Sequence, residues 1–380
     1  MKFTLLPAWL LVSMLCTNAL AQAPVMFSSA MWDVQGQGVV VERVDGREAM
    51  RIDNGVALRQ STAFLDGTID VDVTFTSRRS FIYLLFRVAG EGEHEEIYLR
   101  PHKSGLPDAV QYAPTFQGSS AWQFYHGPGA TAAPAFRHGA VTHLRLIVKG
   151  SQAVLFIDDM DTPALVMPRL ARAPAAGGIG LRTFRPPDVA ADAPTARFSN
   201  FAIRPGHVPF DFASVAVPDD AEPGAITAWR VSDARTSGSD ETALGAEAFA
   251  GDRSRVIETE PNGRLLLHRH LAVPAGARAV TTAARVTITA ASAGMRRLDL
   301  GFSDVVTVFL NDQPLFGADA HYSFDRPRQE GLVGYWQSSV YLPLRAGENE
   351  LRIVVADSFG GWGLMGRIRD RAGLTIAPAP

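Results

Sequence analysis

The chain has 380 residues, a formal net charge of −3 and 47% hydrophobic side chains. That length suits two or three domains, each with a sizeable core. A near-neutral balance gives no electrostatic footprint for nucleic acid, and no run of like charge reads as a polybasic membrane anchor.

The first residues read as an export signal. Lys2 supplies a positive start, and Phe3 to Leu15 is an apolar run too short to span a bilayer, so no membrane span is expected. Ala19-Leu20-Ala21 then offers the small residues of a cleavage site. Cleavage after Ala21 is favoured over Ala23, because Pro24 would follow the latter. A periplasmic or secreted protein is expected. Cys16 follows Leu15, where a lipoprotein signal wants a small residue, so Cys16 is expected to leave with the signal. The mature chain then has no disulfide and relies on its cores.

From Val39 onward the signal is β. Val39-Val40-Val41 leads to Asp45-Gly46, a strong hairpin turn, and Glu48 to Ile52 returns. In Gly67 to Phe75, Ile69, Val71, Val73 and Phe75 share one face and Asp70, Asp72 and Thr74 the other. Phe81 to Val88 reads as a strand buried on both faces. Further strands are predicted over Ile97–Arg100, Ala121–Tyr125, His143–Lys149, Ala153–Ile157, Gly177–Thr183 and Ala196–Ile203. Arg204 to Gly224 carries Pro205, Pro209, Pro218 and Pro223 and reads as a linker. Strands resume at Ile226–Val231, then Arg264–Leu271, Ala279–Thr289, Arg297–Phe302, Val305–Leu310, Ser338–Leu344 and Glu350–Ala356. Asn311-Asp312 turns one hairpin and Gly347-Glu348-Asn349 another. The expected fold class is all-β: two β-sandwich (jelly-roll) domains in tandem after a cleaved signal peptide over 1–21. The first sandwich covers 25–203, the linker 204–224 and the second sandwich 225–377.

Three passages resemble a concanavalin A-like lectin/glucanase (laminin-G-like) domain: Asp66 to Asp72, Leu144 to Asp158, and Gly178-Ile179-Gly180-Leu181 with Phe198-Ser199-Asn200-Phe201. Val308 to Leu315, Tyr341 to Leu351 and Gly360-Gly361-Trp362-Gly363 are similar to a galactose-binding-like jelly roll. The chain as a whole resembles secreted bacterial proteins that join these two folds. The resemblance implies carbohydrate recognition, with a glycan as partner and non-catalytic binding as the leading expectation; the alternatives are a carbohydrate-active hydrolase, of glycosidase or 3-keto-disaccharide hydrolase type, and a structural or adhesion protein of the envelope. Glucanases of the lectin fold carry three acids on one strand face, where retaining chemistry needs two carboxyls roughly 5 Å apart. The nearest counterpart here is Thr68-Ile69-Asp70-Val71-Asp72-Val73, with Thr68 and Val73 where acids should stand. Asp70 and Asp72 are therefore read as solvent-face residues, and no catalytic residue is assigned.

The stretch from Ile97 to His126 has the strongest claim to a binding site. Arg100, His102, Lys103, Asp108 and Gln111 offer donors and acceptors for hydroxyls, and Tyr112, Trp122 and Tyr125 offer flat faces for stacking. Pro101 and Pro107 stiffen the loop between. An equal reading has Arg100 and Asp108 pinning the loop as an ion pair while Trp122 fills the core. Elsewhere, Glu91, Glu93, His94, Glu95 and Glu96 offer oxygen ligands suited to Ca²⁺, but read first as a solvated hairpin tip. His268 and His270 stand at i, i+2 and could begin a zinc site, but read first as surface-strand residues. No metal or cofactor is assigned. His321, Tyr322, Asp325, Arg326, Arg328, Tyr335 and Trp336 share one long loop, suited equally to a ligand or to packing on the neighbouring domain. Trp362 is read as a core plug.

Overall fold

A computed structural model describes residues 25–28, 30–36, 38–90, 92–191, 194–219, 221–236, 246–249, 251–274, 276–324 and 330–380. The signal segment 1–21 with Cys16, the linker's Asp220, Glu91, and the loop residues Asp325, Arg326 and Arg328 lie outside the described residues. The alternation in Gly67–Phe75 builds a strand whose Ile69, Val71 and Val73 are fully buried. This strand is central in a seven-stranded antiparallel sheet, in the order Leu165–Met167, Gln152–Ile157, Val141–Lys149, Gly67–Phe75, Ala196–Pro205, Arg47–Ile52, Val39–Val44. An eight-stranded sheet supplies the other layer. Its order is Asp33–Gln35, Val56–Phe64, Gly177–Phe184, Phe81–Gly90, Glu93–Leu99, Val110–Phe116, Thr131–Ala132, with Ser119–Ser120 also on Val110–Phe116. Ile82, Leu84 and Phe86 meet Ile69, Val71 and Val73 in one core.

The later part of the chain forms two more sheets. One is eight-stranded and centred on Val280–Ala290 and Gly347–Asp357; the other is four-stranded, in the order Leu265–Leu266, Gly363–Arg367, Gly294–Ser303, Ser338–Leu344. Trp229 and Trp362 are both buried in the core between them, as expected for Trp362. The chain is all-β among the described residues, apart from short 3₁₀ turns.

Several local expectations are corrected. Ala121–Tyr125 is a turn, not a strand, because Trp122 and Tyr125 carbonyls both accept from the Gln111 side chain, at 2.8 and 2.5 Å, instead of from a strand. Arg264–Leu271 is a strand only at Leu265–Leu266 and then coils into a 3₁₀ turn over Leu267–Arg269. His268 and His270 therefore do not share a strand face: His268 packs edge-on to Trp362 at 5.5 Å. Gly347-Glu348-Asn349 is no hairpin. It carries the chain from one sheet to the other, and buried Asn349 ties the corner by donating to the carbonyls of Arg345, Gly347 and Ile288. Asn311-Asp312 does turn its hairpin, both with positive φ.

The acidic run is no solvated tip either. His94, Glu95 and Glu96 are buried in the strand Glu93–Leu99. Glu93 pairs with Arg172, Glu95 accepts from the Tyr112 hydroxyl, and Glu96 pairs with Arg182. Alternation along the strand turns Glu95 away from its neighbours, so these carboxylates do not converge on one ion. Asp70 likewise belongs to an ionic cluster, with Arg145 at 2.6 Å and Arg204, rather than to open solvent.

Finally, the proline-rich segment after Pro205 is packed. Phe210 and Phe212 lie against Phe156 and the outer face of the seven-stranded sheet, and Phe212 is buried.

Candidate functional site

The outer face of the eight-stranded sheet is polar where its inner face is apolar. Register places Arg182, Tyr83, Tyr98 and Gln111 in a row across four strands. Phe184 and Phe81 begin the next row, and Arg100 follows where its strand ends. Arg182 lies over the Tyr83 ring, 3.8 Å from its centroid, and Tyr83 and Tyr98 stack 5.0 Å apart. Phe81, Tyr83, Tyr98, Arg100, Gln111 and Phe184 floor a cavity of about 950 Å³. Its roof comes from the later part of the chain, through Tyr322, Phe324 and Phe359.

Gln111 organises the floor. Its Oε1 accepts from Tyr98 Oη at 2.7 Å and from Arg100 Nη2 at 2.6 Å. Its Nε2 donates to the two carbonyls of the Trp122–Tyr125 turn. Arg100 also donates from Nη1 to the Asp108 carbonyl at 2.8 Å, which closes the loop between them. Gln111 and Arg100 are buried, so they hold the site's shape more than they present free donors. Lys103 and Asp108 pair at 2.5 Å and remain about one-third exposed, at 34% and 33%. Asp108 also lies 3.4 Å from Arg100, the ion pair expected of this loop. Burial pushes the His102 imidazole down to about 4, and its Nδ1 is buried with no partner.

Trp122 is half-buried at the wall. It meets Tyr322 edge-on at 5.4 Å and Phe359 at 6.5 Å. Gly360 follows Phe359 with φ +94°, and a Cβ there would collide with Gln123 Oε1 and approach Trp122 Nε1 to 3.1 Å. Only glycine lets the two parts of the chain meet this closely.

Of the eight residues singled out in the sequence, Arg100, His102, Lys103, Asp108, Gln111 and Trp122 line this cavity. Tyr112 and Tyr125 do not. Tyr112 faces the core, where its hydroxyl donates to Glu95 at 2.8 Å and accepts from Ala171 N at 2.6 Å. Burial pushes the Glu95 carboxyl up to about 7 there. Tyr125 is buried and donates to Glu260. Both rings border a separate depression of about 440 Å³ and offer no stacking face to the larger cavity. Tyr83 and Tyr98 were missed, although their alternation with Ile82, Leu84, Ile97 and Leu99 was present to be read. Phe359 was also missed: it stands 237 positions after Trp122, and no local pattern joins them.

No family model matches this sequence, and no curated protein matches it. Solved structures do show likeness. A carbohydrate-binding module, CBM66 of Bacillus subtilis, is 17% identical, over 45% of this chain and 93% of that one, with a TM-score of 0.34. A Bacillus licheniformis beta-glucanase is 10% identical, over 46% and 92%, with a TM-score of 0.34. A galectin of Caenorhabditis elegans, LEC-6, is 10% identical, over 46% and 96%, with a TM-score of 0.28.

Proposed function

We propose that this chain is a periplasmic or secreted carbohydrate-binding protein that holds a glycan in the large cavity without cleaving it. The observation that carries this reading is the pairing of a fixed polar floor with aromatic rings in one cavity. A sugar ring has apolar faces and hydroxyl edges, and such a cavity meets both. The internal bonds of Gln111 and Arg100 keep that surface fixed before the ligand arrives, which limits the ordering cost of binding. Lys103, Asp108 and His102 stand at the floor with atoms able to meet hydroxyls. Neighbouring structures that are carbohydrate-binding modules or glucanases accord with a glycan ligand.

The non-catalytic part of the reading rests on the carboxylates. Of the described lining carboxylates, Asp108 is paired with Lys103 and Asp188 with Arg79 at 3.0 Å, Glu330 and Asp357 being the others, and buried Glu96 nearby is paired with Arg182 at 2.8 Å. A general acid must be protonated when the glycosidic bond breaks, and cation pairing favours the ionised form. The test is a glycan array on the full chain, followed by product analysis of every glycan retained. Retention without shortening is expected. Release of shorter sugars would replace binding by hydrolysis, and no retention would remove the carbohydrate reading.

A further inference from the structure

The large cavity is divided in its chemistry, and we infer that its ligand is a neutral glycoside with an aromatic aglycone. The inference rests on the carbohydrate reading and adds the other part of the ligand. The sugar side is the Tyr98–Arg100–Gln111 floor with Lys103 and Asp108. The other side is Tyr322 and Phe359, with Trp122, whose carbonyl is held by Gln111 of the floor, standing between the two sides. Trp122 and Tyr322 meet at 87°, while Tyr322 and Phe359 lie 6.1 Å apart at 30°. These rings make a corner. A third flat ring entering it meets one wall face-on and another edge-on, the arrangements aromatic pairs prefer.

The corner suits an arene better than a second sugar. Three polar side-chain oxygens beside it are already engaged. Ser119 Oγ donates to the Gly360 carbonyl, Ser358 Oγ to Asp304 at 3.3 Å, and Gln123 Oε1 accepts from Gly361 N at 2.7 Å. A second sugar would bring several hydroxyls that lose water there, with, among the described residues, only the Trp122 Nε1 and Tyr322 Oη groups of the rings themselves left to meet them. An arene brings none. The rings are also open to solvent, since Phe359 is 57% exposed and Trp122 and Tyr322 are half-buried. Apolar surface left open beside a polar floor marks a ligand face more than a core.

Charge points to a neutral ligand. Among the described lining residues, cations and carboxylates are equal in number. Asp108 is held by Lys103 and Arg100, and Asp188 by Arg79. Burial pushes the lining imidazole His268 down to about 4, as it does His102, so neither adds charge at neutral pH. A balanced lining gives an anionic sugar no net attraction.

The test is calorimetric titration of the full chain with paired methyl and phenyl β-glycosides of glucose, galactose and xylose, with phenol and a neutral oligosaccharide as further probes. For the sugar accepted, the phenyl glycoside should bind at least tenfold more tightly than the methyl glycoside. Tyr322→Ala and Phe359→Ala should each bring that ratio close to one. Tyr341→Ala, exposed on a sheet outside the cavity, should leave the ratio as it is. A methyl glycoside or oligosaccharide that binds as well as the phenyl glycoside would overturn the aryl inference and leave the glycan reading standing. Phenol binding as tightly as the phenyl glycoside, or no binding by any probe, would overturn both.

Discussion

Gln111 shows what a sequence hides at the scale of one residue. Its side chain reads as a free amide ready for a hydroxyl, yet all its contacts are internal. Removing it takes an acceptor from Tyr98 Oη and Arg100 Nη2 and a donor from the Trp122 and Tyr125 carbonyls, while Arg100 keeps its bonds to Asp108 and Tyr98. Gln111→Ala should lower unfolding stability by about 1–3 kcal/mol for each buried group left without a partner, measured by urea denaturation. Wild-type stability in that variant would mean that water replaces the amide. His143 offers a second test. Hydrogen bonds to Asp70 and Asp72, the latter at 2.6 Å, raise its imidazole from 6.5 to about 9. Between those values the folded chain holds a proton that the unfolded chain has released. Stability from this site is therefore full below pH 6.5 and lost as pH rises through 9. The thermal midpoint should fall across that interval in the parent and fall less in His143→Gln. Equal slopes in the two proteins would dismiss the effect.

At the scale of elements, period-two alternation was legible and side-chain-made structure was not. Ile69, Val71 and Val73 announced their strand, and Asp45-Gly46 its turn. The Trp122–Tyr125 turn misled because its aromatic run has strand composition, while its carbonyls are satisfied by Gln111 from another strand. The segment after Pro205 misled in the opposite sense: its prolines suggest a loose tether, but Phe210 and Phe212 anchor it. Asp211 adds a cap, accepting from Ala213 N at 3.0 Å. Phe212→Ala should destabilise by about 3–5 kcal/mol, the range for a buried phenylalanine. It should also expose residues 206–217 to limited proteolysis. Unchanged cleavage there would mean that the packing does not protect the segment.

For the whole molecule, the sequence suggested two sandwiches with a linker, and nothing in it showed how closely they meet. The first core also contains Leu266, Val333 and Met365 from the later part of the chain. Gln117 donates to the carbonyls of His268 and Leu271, both at 2.6 Å, and Val333 N donates to the Gln123 carbonyl at 2.9 Å. Shared apolar burial couples the two parts, so we expect one cooperative unfolding transition. Two separated calorimetric transitions would show independent domains instead. The cavity lies across this contact, so six of its residues could be named from one stretch while the place of Phe359 beside Trp122 could not. The most direct test of glycan binding there is a paired measurement on Trp122→Ala: affinity by calorimetric titration with the glycan the array identifies, and thermal midpoint. If Trp122 stacks on the ligand, affinity falls by about 1–3 kcal/mol, as for other aromatic stacking platforms, with the midpoint nearly unchanged. A large fall in the midpoint with wild-type affinity would contradict that role.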